Sequence, residues 1–302
     1  MGWIRFNGKS STDFSTEVFI QKKPDYEFPE KDVEFISIPG RSGDLVIDHN
    51  RYKNVEKTYY IASVVHGYNE ENQNGNNFIK QAALLVKWLK NTKGYGILED
   101  SYDKNVYRKA IYVEESIIND IYDGAAALEL IFNCKPQRYF TWGNLPWSIS
   151  DYSAYHGILY VYPRENPSDS TSSYHSEVLE DSKPLIYIKL ITKSAGSDNY
   201  GKLSFTISNL SSITLRLDLI DQQLISGKTL VFDSDALMLY EESQGTNYTQ
   251  LVEISGKDPM MYLIDDGNNV MATKFDFIAS DGEEELDDVV NEIRILPRWW
   301  KL

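Results

Sequence analysis

"ALELIFNCKP", residues 127–136, decides how the chain reads. Leu128, Leu130, Phe132 and Cys134 occupy alternate positions, with Glu129 and Asn133 on the opposite parity. A period of two is strand geometry, because successive side chains on a strand point to opposite faces. The stretch is therefore a half-buried strand with Cys134 on its core side. Pro136 lacks a ladder N–H, so the strand is expected to end there. A chain of 302 residues exceeds one typical core, so two domains are expected. The boundary is placed near Tyr139–Asn144, giving an N-terminal domain over 1–140 and a C-terminal domain over 141–302.

The same period recurs on both sides of that boundary. In "VEFISIPGRSGDLVI", Val33 and Phe35 alternate with Ile36 and Ile38 before the breaks at Pro39-Gly40 and Gly43-Asp44. "VEKTYYIASVV" (55–65) is β-branched and aromatic, as strands are. The second half carries "PLIYIKLIT", "KLSFTISNL", "SITLRLDLID" and "EIRILPRWW", with turns between them. Six or more short strands separated by turns predict a β-sandwich there and not βαβ units. "RENPSDSTSSYHSEVLEDSK" (164–183) is polar and Ser-rich, an exposed excursion. One segment breaks the rule. In "NNFIKQAALLVKWLKNTKGYG", Phe78, Ala82, Leu85, Val86 and Leu89 share one face of a 3.6-residue period, predicting the one long helix. Asn76 or Asn77 would be its N-cap and Gly94 its C-terminal stop.

Composition narrows the function. Net charge is −15 with a pI near 4.7, so clustered Lys and Arg for nucleic acid or an anionic membrane are missing. A single cysteine excludes an intrachain disulfide framework. No apolar run approaches a membrane span, and the start has no signal-peptide core, which predicts a soluble product of the cytoplasm.

Reaction chemistry finds no foothold either. Gly227-Lys228-Thr229 resembles the tail of a phosphate-binding loop, but Gln222 stands where its first glycine belongs, and a turn is the expected structure. His49, His66, His156 and His175 are scattered, without the close spacing of a zinc site. Cys134 on the core side of a strand is an inert thiol. "SDGEEELDD" (280–288) and Asp265–Asp266 lack the ligand spacing of a calcium loop. With 45 carboxylates, no glycosidase pair stands out. No cofactor, metal site or catalytic residue is assigned. Tyr152, Tyr155, Tyr160 and Tyr162 could stack on sugar rings or fill a sandwich core and its rim.

Three stretches together resemble the distal tail protein (Dit) family of phages with long non-contractile tails, chiefly those infecting Gram-positive bacteria. "FISIPGRSGDLVIDHNRYKNVEKTYYI" (35–61) is similar to the family's Pro-Gly-Arg-x-Gly turn and the strand after it. "LIFNCKPQRYF" (130–140) is similar to the Phe-x-Cys-x-Pro-x-Arg-Tyr segment that closes its ring-forming domain, and "RILPRWWKL" looks like a common family ending. The likeness is strong over 1–140 and weaker beyond.

The resemblance implies a mainly β protein: a tail-tube-like N-terminal β domain with one long helix, then a galectin-like β-sandwich. It implies a structural hub of the tail tip or baseplate, not an enzyme, forming a homohexameric ring. Its partners would be the major tail tube protein, a tail-associated lysin or tip protein, and receptor-binding proteins, with the virion tail tip as its location. The turn residues Gly40, Arg41 and Gly43, the loop Gly67–Asn77, and Trp299 and Trp300 are the interface candidates. On an extended chain the two tryptophans would face opposite ways, one inward and one toward a neighbouring domain or subunit; alternatively both plug the end of one sandwich. The competing reading is a cell-wall carbohydrate-binding protein acting through the second domain. Against it, the His-x-Asn-x-Arg and Trp-Gly-x-Glu patterns of true galectins are missing, since "TWGN" (141–144) carries asparagine.

Overall fold

The computed structural model describes residues 2–13, 18–20, 22–64, 83–113, 118–122, 125–149, 156–168, 175, 178, 182–191, 204–208, 212–216, 226–256, 264–265, 271–280 and 290–302. The chain divides into two compact units, one of Met1–Tyr139 with Leu302, the other of Phe140–Lys301. Both are mainly β.

The first unit begins with β1 (Ile4–Phe6), β2 (Lys9–Ser10) and β3 (Val18–Ile20). A hairpin follows, β4 (Lys31–Ile36) and β5 (Leu45–Tyr52), then β6 (Val55–Val64). Helix α1 is described over residues 83–90. β7 (Gly96–Asp100), β8 (Val106–Tyr112), β9 (Ile118–Tyr122) and β10 (Ala125–Phe140) complete the unit. Its main sheet runs β2-β1-β7-β8-β10-β6-β3, with β9 also paired to β10. The hairpin is a separate two-stranded sheet.

The alternation at 128–134 is met in full: Leu128, Leu130, Phe132 and Cys134 are buried in one cluster with Phe6, Tyr59 and Tyr112. Phe132 is its hub, edge-on to Phe6, Tyr59 and Tyr112 at ring distances of 5.4, 5.9 and 5.4 Å. The helix covers this core with Leu85 and Leu89, and Val86 and Trp88 pack at the margin. Phe78, Ala82 and the proposed N-cap lie outside the described residues. The helix ends by Asn91, whose N–H donates to Lys87 O, ahead of Gly94, which takes a positive φ of 72° in the following loop.

The strand does not stop at Pro136. It continues to Phe140, a correction whose reason lies in its partner strand. The β10–β6 ladder ends at the Cys134–Val55 pair, so Pro136 lies beyond the end of that ladder. A missing N–H costs little at such a position.

The second unit contains β11 (Trp147–Ile149), β12 (His156–Val161), β13 (Leu185–Leu190), β14 (Ser204–Ser208) and β15 (Ser212–Arg216). Next come β16 (Thr229–Asp233), β17 (Met238–Glu241), β18 (Glu253–Gly256) and β19 (Ile264–Asp265). β20 (Met271–Ser280), β21 (Val290–Leu296) and β22 (Trp300–Lys301) end the chain. One antiparallel sheet has the order β11-β21-β13-β16-β17, the other β12-β20-β14-β15-β18 with β19 beside β20. Each buries alternate side chains: Ile186, Ile188, Ile293 and Ile295 in the first, Ile207, Ile213, Leu215 and Phe275 in the second. Residues 217–219 lie outside the described residues. The segment after Gly227 is strand β16, and Lys228 pairs with Glu241 at 2.9 Å, so the phosphate-loop likeness ends in a turn and a strand.

The unit is pinned where its first and last residues meet. Phe140 N–H donates to Trp299 O and Arg298 N–H to Gly143 O, both at 2.9 Å. A Cβ on Gly143 would lie 2.9 Å from Trp299 N and 3.2 Å from Trp299 O. Backbone atoms cannot swing aside as a flexible side chain can, so Gly143→Ala should destabilise the second unit by about 1–3 kcal/mol. Denaturant unfolding of the full chain, followed by tryptophan fluorescence, checks this.

Candidate assembly site

The hairpin β4–β5 is held together by its own register, in which Phe35 opposes Val46, Ile36 opposes Leu45 and Glu34 opposes Ile47. Directly opposed residues share a face. Phe35 and Val46 thus lie on one face, and Ile36, Leu45 and Ile47 on the other. All five are exposed: Phe35 at 62%, Val46 at 54%, Leu45 at 41%, and Ile36 and Ile47 at 36%. The apolar end of the hairpin is therefore wet on both sides. Its base is polar, with Lys31 on Asp48, Arg51 Nε 2.6 Å from Asp32 and Lys53 3.1 Å from Glu30. Hydrogen bonding from Arg51 holds the Asp32 carboxyl below its ordinary value. Such exposed pairs add little stability, yet they fix the strand register.

Gly40, Arg41 and Gly43 sit in the turn that joins the two strands, all exposed. Gly40 and Gly43 have φ of 81° and 84°, a conformation that β-carbons disfavour, which explains both glycines. Arg41 N–H closes the turn on Ile38 O at 3.1 Å. The loop Gly67–Asn77 lies outside the described residues.

Trp299 and Trp300 belong to the second unit. They are 0% and 3% exposed, so neither offers an indole to solvent. Just before them Arg298 takes a φ of 55°, and strand β22 begins at Trp300. Arg298 is held in that conformation by a two-pronged bond to Asp233, at 2.9 and 3.1 Å.

The remaining candidates for chemistry stay quiet. Cys134 is fully buried and its thiol is pushed up to about 11 by burial. His49 stands 3.9 Å from Glu34 on the hairpin, and His175 stacks on Trp142 with ring centres 4.8 Å apart. Among the described residues no group of three or more His, Cys, Asp or Glu could hold a metal, and no helix is long and apolar enough to cross a membrane. Tyr162 packs on Trp147 under the Arg164 guanidinium, Tyr160 is partly exposed, and Tyr152 and Tyr155 are outside the described residues.

One group of buried charged side chains escaped the sequence reading. Lys57 on β6, Asp100 at the end of β7, Arg108 on β8 and Arg138 on β10 are all buried in the first unit, at 4, 7, 6 and 8% exposure. Each has the parity of its strand's core residues, such as Tyr59, Leu98, Ala110 and Cys134. Asp100 accepts from Tyr59 Oη at 2.7 Å and from the N–H groups of Tyr102 and Asp103, and lies 3.8 Å from Lys57 Nζ. Arg138 grips Asp103 through Nε at 3.0 Å and reaches Leu302 O at 3.1 Å. The Tyr26 ring lies over both cations, 4.9 Å from Lys57 Nζ and 5.3 Å from the Arg138 guanidinium carbon. The signal was available: continuing the alternation past Cys134 leads to Arg138, and "VYRKAIY" places Arg108 in step with Ala110 and Tyr112.

The class defined so far is a two-unit, mainly β chain carrying a separate hairpin with an uncovered apolar end and no assembled reaction centre among the described residues. No protein-family model matches the chain, and no curated protein matches it in sequence. Solved structures do match it in three dimensions. The crystal structure of the SPP1 Dit (gp 19.1) protein, described as a paradigm of the hub adsorption apparatus in phages infecting Gram-positive bacteria, aligns over 100% of this chain and 98% of its own. The TM-score is 0.55 at 10% identity. The chain has a Dit-like fold.

The Asp233–Arg298 corner carries a pH signature. Burial alone would raise the Asp233 carboxyl, but Arg298 and the N–H groups of Asp235 and Ala236 outweigh it and hold the group below its ordinary 3.8. A depressed carboxyl adds stability that is complete above the unfolded value and is lost as pH falls through the lower folded value. Unfolding free energy measured on acidification below 3.8 should drop less steeply in Arg298→Met than in the parent chain.

Proposed function

We propose that this chain is a structural hub protein of a phage tail tip, built to assemble with copies of itself into a closed ring. The observation that carries the reading is the hairpin β4–β5, whose five apolar side chains are exposed on both faces. A lone two-stranded hairpin is marginal in water, and an uncovered apolar end marks an interaction site. A second copy of the chain supplies the cover. The contact is head-to-tail, and such contacts make a ring when their rotation closes, here of six subunits. The Dit-like fold over the full length supports the same reading.

In this arrangement the first unit is the tail-tube-like ring former and the second a galectin-like sandwich. Gly40, Arg41 and Gly43 lie at the interface because they shape the hairpin's end. Trp299 and Trp300 act from inside by fixing the end of the second unit. The ring joins the tail tube protein to a tail-associated lysin or tip protein and to receptor-binding proteins. Its role is mechanical, and it calls for no cofactor and no catalytic residue.

The test pairs Phe35→Ser with Val46→Ser. Both positions are exposed within the single chain, so its unfolding free energy should change by no more than roughly 0.5 kcal/mol. Light scattering and negative-stain imaging should show rings for the parent and the mass of one 34.7 kDa chain for the double variant. A double variant that assembles as the parent does would remove the hairpin from the interface and this reading with it.

A further inference from the structure

Among the described residues, the buried charge layer of the first unit does not balance. Its cations are Lys57, Arg108 and Arg138, and its carboxylates are Asp100 and Asp103. Both carboxylates are committed. Asp100 receives Tyr59, Lys57 and two backbone N–H groups, and Asp103 receives Arg138 through two of its nitrogens. Arg108 is left over. It is 6% exposed, its Nη1 is buried with no hydrogen-bond partner, and no carboxylate among the described residues pairs with it.

Its neighbours cannot supply the missing charge. Burial raises the Cys134 thiol to about 11, and burial beside Asp100 holds the Tyr59 phenol well above its ordinary value, so both stay neutral at physiological pH. Burial lowers the pKa of Arg108 itself and the positive charge of Arg138 lowers it further, outweighing the opposing pull of Cys134, Tyr59 and Asp103. Lys57 is shifted the same way, by burial first, with Arg108 adding to it. A buried cation without a counter-charge is strongly disfavoured, whereas a charge-assisted hydrogen bond to an anion is among the stronger polar contacts.

We propose that Arg108 Nη1, together with Lys57, holds a small inorganic anion within the first unit, of the phosphate or chloride class. The anion neutralises the one cation that the sheet's own carboxylates leave over. It enters beside Tyr26, whose ring covers Lys57 and Arg138 and which is itself 42% exposed. The inference stands apart from the ring, because every group in it belongs to the first unit of one chain.

Thermal unfolding of the full chain against phosphate, and separately against chloride, tests it, with ionic strength held constant by a bulky sulfonate buffer. A ligand that binds only the folded state raises the midpoint in a saturable way. The parent chain should show that rise with at least one anion, which also identifies the class. Arg108→Met should lose it, and Lys57→Met should weaken the apparent affinity about tenfold, equivalent to about 1.4 kcal/mol. Parallel rises in the parent and Arg108→Met would overturn the proposal, as would no saturable rise with either anion. If Arg108→Met does not fold, calorimetric titration of each anion into the parent decides: one saturable site per chain supports the inference, and its absence overturns it.

Discussion

A strand divides its side chains between two faces, and each face must be either covered or suited to water. β10 carries this constraint for the whole first unit. Its inward positions run from Leu128 to Cys134 through the aromatic cluster and then to Arg138 in the charged layer. Its ladder with β6 fixes ten pairs in register, from Ala125–Val64 to Cys134–Val55. A slip of one residue would turn Glu129 and Asn133 inward and Phe132 out, so the apolar face holds the register. The helix supplies the cover with Leu85 and Leu89.

The hairpin is the same constraint left unmet. Its strands carry apolar side chains as those of the main sheet do, yet among the described residues they pair only with each other. Phe35 and Val46 lie on one face, Ile36, Leu45 and Ile47 on the other, and no helix or second sheet among the described residues buries either. The polar base, with its cross-strand ion pairs, keeps the hairpin in register while the far end stays free to be covered by another molecule. The charged layer shows the constraint from the other side. There, polar groups occupy inward positions, and each needs a partner because water is excluded.

Much of this was legible in the sequence wherever a local period decides the structure. Leu128 to Cys134, Ile213 with Leu215, Ile293 with Ile295, and Leu85 with Leu89 are all buried as their spacing implies. What failed to show was anything set by distant partners. Pro136 looks like a strand end, because nothing local shows that the ladder with β6 already stops at Cys134. That Arg298 takes a left-handed turn and bonds Asp233, far away in the chain, has no local signal. The apolar residues of "VEFISI" and "DLVI" read as ordinary strands, and nothing local says that neither face finds a core. Lys57 and Arg108 sit in step with core residues, but that Lys57 meets Asp100 while Arg108 meets no carboxylate among the described residues is a matter of tertiary pairing.

The central claim is that a second copy of the chain covers the end of the hairpin. Amide hydrogen exchange, followed by mass spectrometry across a concentration series that spans assembly, tests it most directly. The expected result is protection of residues 35–47 that appears only on association, while β10 amides exchange equally slowly throughout. Equal exchange of residues 35–47 in dilute and assembled protein would contradict it.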